Sequence, residues 1–250
     1  VQENNADDNP TSGRGPDDGP QGGVEPVPVD HGRRLTRRLV QLYLGLVLYG
    51  FSMALLIEST LGLDPWDVLH QGIAIWTPMS IGIVTILVGA VVLLAWIPLR
   101  QRPGLGTVSN VVVIGLAVDA SLWFLPQPDA LALRATFMVA GVVLNAVATA
   151  AYIGAWFGPG PRDGLMTGLV ARTGGSVRVV RTSIEMTVLA VGWLLGGTVG
   201  VGTVLYAVSI GPLVHALLPR LAVRPSSYEA KRSTRGGIEP SDVHAEAPTA

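Results

Sequence analysis

Six apolar runs dominate the chain, at approximately 39–57, 79–99, 107–125, 135–157, 177–195 and 203–218. A helix needs about 20 apolar residues, with about 17 the lower limit, to cross the hydrocarbon of a bilayer. Most of the runs meet that length and the last is marginal. Within hydrocarbon a helix satisfies its own backbone groups, whereas barrel strands would be half as long and would alternate. The pattern therefore predicts an all-α, polytopic membrane protein with six transmembrane helices.

The flanks behave differently. Residues 1–32 and 221–250 carry few large apolar side chains and are expected to be disordered cytoplasmic tails, because such segments bury too little surface to offset their ordering entropy. Arg33, Arg34, Arg37 and Arg38 precede the first run, as in a signal peptide. That run is longer than a typical signal core, and Leu56, Ile57 and Glu58 stand where a small-residue cleavage site would be needed. It is read as a retained span.

Sliding the chain against itself gives one dominant register, an offset of 96 positions. Residues 38–123 align with 134–219 without a gap, and 27 of the 86 pairs are identical. Chance in this composition would give roughly a tenth. The matches include Gly62, Pro65, Asp67, Leu69 and Gly72 on Gly158, Pro161, Asp163, Leu165 and Gly168. Gly104, Gly106, Thr107 and Val108 fall on Gly200, Gly202, Thr203 and Val204. Two membrane repeats follow, at 33–125 and 126–220, each with three spans. An odd number of spans turns the second copy upside down.

Charge placement agrees with that inversion. Trp66, Trp76, Gly82 and Thr85 of the first copy correspond to Arg162, Arg172, Arg178 and Arg181 of the second, while Arg100 and Arg102 correspond to Gly196 and Thr198. Cytoplasmic loops collect arginine and lysine. Both termini are then cytoplasmic, with 58–78, 126–133 and 196–202 outside and 158–176 inside. Arg134 is the one exception.

The chemistry is sparse. The formal net charge is −1, which gives no ground for a nucleic-acid partner. There is no cysteine, so disulfides, thiol catalysis and cysteine-ligated metals are excluded. Histidine occurs only at 31, 70, 215 and 244, without metal-ligand spacing, and no catalytic motif is present. No enzyme activity, cofactor or metal is expected.

After the first span of each repeat comes a helix start: Asp64-Pro65-Trp66-Asp67, and Gly160-Pro161-Arg162-Asp163. Asp64 reads as the N-cap, Pro65 as the first helical residue and Asp67 as first-turn acid. Each opens a helix of about 11 residues, half the membrane thickness. One reading is a pair of broken helices meeting near mid-membrane, where inverted-repeat transporters place their sites. The other is an amphipathic helix lying in the interface, with Leu69, Ile73 and Trp76 toward lipid. On the first reading Asp67, His70 and Gln71 share a face. An aspartate at each helix start opposes a second anion, so a ligand there is a cation, a proton or a neutral polar group.

Ionisable residues inside spans are the remaining candidates. Asp119 in the third span corresponds to His215 in the sixth: either a proton- or cation-handling pair, or two residues near opposite headgroup levels. Arg181 and Glu185 are four apart and read as a structural ion pair. Asn110 and Asn145 read as interhelical amides. The candidate ligand or ion pathway is thus Asp67, His70, Asp163, Asp119 and His215.

The segments GLDPWDVLHQGIA (62–74), MSIG (79–82), GLGTVSNVVVIGLAVD (104–119) and RTSIEMTVLAVGWLLGGTVGVGTVLYAVSIGP (181–212) resemble the YczE/YyaS/YitT-type bacterial membrane proteins. The resemblance covers about 38–218 and implies a polytopic protein of the bacterial inner membrane. It implies no substrate, reaction or catalytic residue. The expected function is a small-molecule or ion permease, its partners the lipid bilayer and a small polar or cationic substrate. The alternative is a non-transporting membrane scaffold that supports a partner.

Overall fold

Every apolar run is helical. The structure, a computed structural model, describes residues 31–223, so the predicted tails lie almost wholly outside the described residues. Eight helices and no strand occur among the described residues: α1 (His31–Ser59), α2 (Pro65–Ile75), α3 (Ile81–Trp96), α4 (Leu105–Phe124), α5 (Leu131–Gly154), α6 (Pro161–Thr173), α7 (Val177–Leu194) and α8 (Val201–Leu221).

Four segments are long and apolar enough to cross a membrane: Leu35–Ser59, Leu105–Phe124, Leu131–Gly154 and Val201–Leu221. The other two predicted spans are helices as well, with different properties. α3 is apolar but has only 16 residues, about 24 Å. It starts at the Ser80 cap, whose hydroxyl accepts from the Ile83 N–H, and stops before Pro98. α7 has 18 residues and carries Arg178, Arg181 and Glu185. The outer surface of the bundle is apolar, with Leu44, Val91, Leu94, Leu116, Val139, Val204 and Val208 all exposed. A water-facing exterior would not present so continuous an apolar surface; lipid is its natural surrounding.

α1 and α5 form the centre and run antiparallel. Going up α1, Gln41 donates to Ala151 O, Ser52 Oγ accepts from the Asn145 amide, and Leu56 packs on Gly141. α4 lies along α1, where a side chain at Gly50 would strike Ile114 O at 2.8 Å. α8 lies along α5 in the same way, and Tyr206 OH donates to Asn145 Oδ1 at 2.9 Å.

Contacts recur with the two repeats exchanged. Arg38 donates to Ala155 O and Trp156 O; Arg134, 96 positions on, donates to Ser59 O and Thr60 O. Gly106 N–H donates to Phe157 O at 2.9 Å, and Gly202 N–H to Leu61 O at 2.8 Å. Gly62 abuts Gly200 and Thr203, while Gly158 abuts Gly104 and Thr107. The loops even share their backbone strain: φ is 54° at Thr60 and 59° at Trp156, 123° at Gly62 and 119° at Gly158. Arg134 is thereby accounted for. It closes the carbonyl end of α1, as Arg38 closes that of α5.

α2 and α6 are interior elements at their starts. Trp66, Asp67, Val68 and His70 are buried against the rest of the protein, and the end of α2, at Ile75 and Trp76, is exposed. α2 packs on α7 of the other repeat, with Gly192 against Val68 and Leu69; α6 packs on α3, with Gly164 against the Trp96 ring.

Candidate functional site

The two short helices begin close to one another beside the middle of α1. Asp64 caps α2, its Oδ1 accepting from Trp66 N–H at 2.8 Å and Asp67 N–H at 2.9 Å. Its other oxygen, Oδ2, lies 3.5 Å from Nη1 of Arg162, the second residue of α6. Arg162 Nη2 donates to Tyr49 OH at 2.5 Å, and the guanidinium stands 5.8 Å from the Trp66 ring centre. Trp66 and Arg162 are counterparts across the 96-position offset, so the two repeats touch through equivalent residues here. Tyr49 lies ten residues before the end of α1 (59 − 49), about 15 Å into the bundle.

Two cavities flank this junction. The first, about 50 Å³, is lined by residues that include Asp67, His70, Thr85, Gly89, Asn110 and Ile114. The second, about 600 Å³, is lined by residues that include Asp163, Met166, Arg181, Glu185, Tyr206 and Ile210. Adding 96 to each of these numbers in the first cavity gives its counterpart in the second, which also takes in Tyr152, Ile153, Gly211, Val214, His215 and Leu218, whose counterparts do not line the first. They are the same site in two copies, one contracted and one expanded. Tyr49, Trp66 and Arg162 line both.

The difference in size has a local cause. In the first copy α3 lies tightly on α4 through glycine: a Cβ at Gly82 would come within 2.1 Å of Gly115 O, and one at Gly89 would touch Val111. Asp119 clamps the end of this contact, accepting from Ser80 Oγ at 2.5 Å and Gly82 N–H at 2.9 Å. In the second copy the corresponding face of α7 carries Arg178, Arg181 and Glu185 in place of Gly82, Thr85 and Gly89. Charged side chains cannot be packed dry against a helix without a large desolvation cost. α7 stands away from α8, and Gly211, the counterpart of Gly115, has nothing within 4 Å of a built Cβ. The expanded cavity runs down this gap past Val214 and His215 to Leu218.

The sequence candidates therefore separate. Asp67 and His70 belong to the contracted cavity, with His70 Nδ1 3.2 Å from Asp67 Oδ1. Asp163 and His215 belong to the expanded one, where Arg181 Nε and Glu185 Oε1 pair at 3.1 Å on the wall. Asp119 lines neither; it anchors α3 to α4, and Asp119 and His215 are not brought together. Asn145 bridges Ser52 and Tyr206, as an interhelical amide should. No group of three or more His, Cys, Asp or Glu residues able to hold a metal ion occurs among the described residues.

Arg162 is the residue the sequence reading missed as a site. In the sequence it reads as a loop charge; in the structure it stands between the starts of α2 and α6. The available signal was its register: it replaces an aromatic residue at a duplicated Pro-x-Asp.

Residues 36–219 match the model of a family of unknown function, DUF6198. The chain belongs to that family. As a DUF6198 member it is 44% identical over 184 residues to an uncharacterized protein of Haemophilus influenzae, covering 74% of this chain and 84% of that one. It is 30% identical over 214 residues to the uncharacterized membrane protein YczE of Bacillus subtilis, covering 85% and 99%. With the uncharacterized protein YyaS of Bacillus subtilis it shares 24% over 182 residues, covering 70% and 90%. No solved structure matches. The DUF6198 match takes in every residue that lines the two cavities.

Proposed function

We propose that this DUF6198 member is a small-molecule or ion permease of the bacterial cytoplasmic membrane. In this reading α1, α3, α4, α5, α7 and α8 cross the bilayer as two inverted repeats, and α2 and α6 are re-entrant half-helices. Both termini are cytoplasmic. The substrate binds in the Asp163 cavity, which is reached from one side when α7 leaves α8 and from the other when α3 leaves α4.

The observation that carries the reading is the pairing of the cavities: equivalent residues of the two repeats line both, and one holds about 50 Å³ and the other about 600 Å³. The antiparallel α1–α5 core and the exchanged contacts support the inversion, since α3 and α7 then open toward opposite faces. Glycine on α3 and charge on α7 bias the resting molecule toward the α7–α8 opening. The expanded cavity is lined by Trp66, Tyr152 and Tyr206 and by both signs of charge, Asp163 and Glu185 with Arg162 and Arg181. Arg181 is held by Glu185 and Arg162 by Asp64, which leaves Asp163 and the aromatic faces to meet a small organic cation or a neutral polar molecule.

A thermal-shift screen of the purified full chain against small amines, amino acids and alkali cations tests this. A stabilising compound is expected to lose its effect with Asp163→Asn and to be carried into proteoliposomes by the wild type. Stabilisation that survives Asp163→Asn, or a stabilising compound that never crosses, refutes it. Because the chain has no cysteine, single cysteines test the topology separately. Asp129→Cys should label from outside, and Arg102→Cys and Thr173→Cys from inside.

A further inference from the structure

We infer that the Asp67–His70 pair is a proton-binding site, distinct from the substrate cavity at Asp163, and that it carries the ion to which transport is coupled. The coupling role rests on the permease reading; the proton site does not.

The argument begins with charge. Asp64 and Asp67 lie three residues apart, each 1% exposed. Arg162 faces Asp64 Oδ2, while Asp64 Oδ1 is already committed to two backbone N–H groups. One guanidinium is thus set against two carboxylates. Asp67 Oδ1 meets His70 Nδ1 at 3.2 Å. Asp67 Oδ2 is buried with no hydrogen-bond partner among the described residues, and Asp67 lines the contracted cavity. A carboxylate so placed is strongly disfavoured as an unpaired anion. Taking up one positive charge removes that penalty.

The surroundings select a proton over a metal cation. Besides Asp67, only Tyr49, Thr85 and Asn110 bring side-chain oxygens to a wall otherwise made by Met53, Val88, Val92, Val111 and Ile114. Tyr49 OH already accepts from Arg162 and Thr85 Oγ1 donates to Ile81 O, and a hard cation needs about six or more oxygen ligands. At about 50 Å³ there is room for a few water molecules to deliver a proton. The titratable or charged groups facing Asp67 are Asp64 and His70 beside it, Tyr49 on α1, Arg162 on α6 and Tyr206 on α8. α3 and α4 contribute only apolar or neutral side chains to the cavity, and α7 meets α2 through Gly192. The bond that forms is O–H at Asp67 Oδ2; the proton is relayed from bulk hydronium through the cavity water, each water giving up one O–H as it gains another, and the histidine steadies the other oxygen.

The second repeat lacks this device. Met166 stands at the position of His70, and Asp163 faces the expanded cavity instead. The two halves therefore divide the work: one aspartate for the proton, the other for the substrate. When α3 parts from α4, the Asp67 cavity widens toward the opposite side of the membrane and the proton exchanges there.

Infrared difference spectroscopy of the full chain in phosphatidylcholine vesicles, alternating mildly acid and mildly alkaline buffer, reads the site without any transport substrate. A carboxylic-acid carbonyl band is expected on acidification. It should vanish in Asp67→Asn, shift in His70→Gln and persist in Asp163→Asn. A band that persists in a folded Asp67→Asn variant, or one lost only in Asp163→Asn, overturns the inference. So does a Na⁺-for-K⁺ stabilisation that Asp67→Asn abolishes, which would assign an alkali cation. If the band behaves as expected while no compound is ever carried, the proton site stands and the permease reading falls.

Discussion

Replacing Gly82 by alanine inserts one methyl group into the α3–α4 contact that keeps the first cavity small. A Cβ there would lie 2.1 Å from Gly115 O and 2.4 Å from the Asp119 carboxyl carbon. Neither neighbour can retreat cheaply, because one is helix backbone and the other is fixed by Ser80 and by the Gly82 N–H itself. Overpacking of this kind costs about 1–3 kcal/mol. The better helix propensity of alanine acts on α3 whether or not it touches α4, so it cancels between the two states. A penalty confined to the closed state moves the balance toward the α3-open state by about 5–150-fold. A single cysteine at Val88, which lines the contracted cavity, reports the shift through its rate of labelling by an impermeant maleimide added outside. Labelling is expected to rise by that factor when Gly82→Ala is added. An unchanged rate together with a lowered melting temperature would refute the argument, because the closed state would then be the only folded state.

The other predictions concern the frame. Gly62→Ala and Gly158→Ala should each destabilise by about 1–3 kcal/mol and by nearly equal amounts in a thermal melt, since both combine a positive φ with a Cβ contact below 3.0 Å. Asn145→Leu should cost about 0.6–2 kcal/mol, and a double-mutant cycle with Tyr206→Phe should show the two changes to be non-additive. Arg162→Met should lower stability by about 1–3 kcal/mol by leaving Asp64 Oδ2 and Tyr49 OH without their donor. Adding Asp64→Asn should recover part of that loss.

The helices and their pairing were legible in the sequence because both signals are long-range averages. Apolar runs near 20 residues leave few alternatives in a membrane, and a gapless offset of 96 forces equivalent residues into equivalent places. The cap at Asp64 and Pro65 was legible for a local reason: it depends on two or three adjacent residues. What the sequence did not reveal was which charge meets which. Arg162 counted as a cytoplasmic charge by composition, yet its position depends on a loop that turns back into the bundle at Gly158, a matter of φ rather than of residue type. The same holds for the substitution of Gly82, Thr85 and Gly89 by Arg178, Arg181 and Glu185. Read along the chain it is a charge bias at Arg178 and Arg181 and an ion pair of Arg181 with Glu185; once the helices are placed, it accounts for which cavity is the larger. Asp119 shows the converse case: in sequence it is an ionisable residue within a span, and in the structure it is the acceptor that ties down the first turn of α3.

The central claim is that the two equivalent cavities exchange their states. Spin labels at Ile83 and Ala120 report the α3–α4 gap, and labels at their counterparts Val179 and Ala216 report the α7–α8 gap; all four residues are exposed. Pulsed dipolar distances on the two pairs, in vesicles, test the exchange directly. The account predicts two distances for each pair, with every condition or variant that lengthens the first pair shortening the second. A single distance for each pair, short at α3–α4 and long at α7–α8 under every condition including Gly82→Ala, would contradict it.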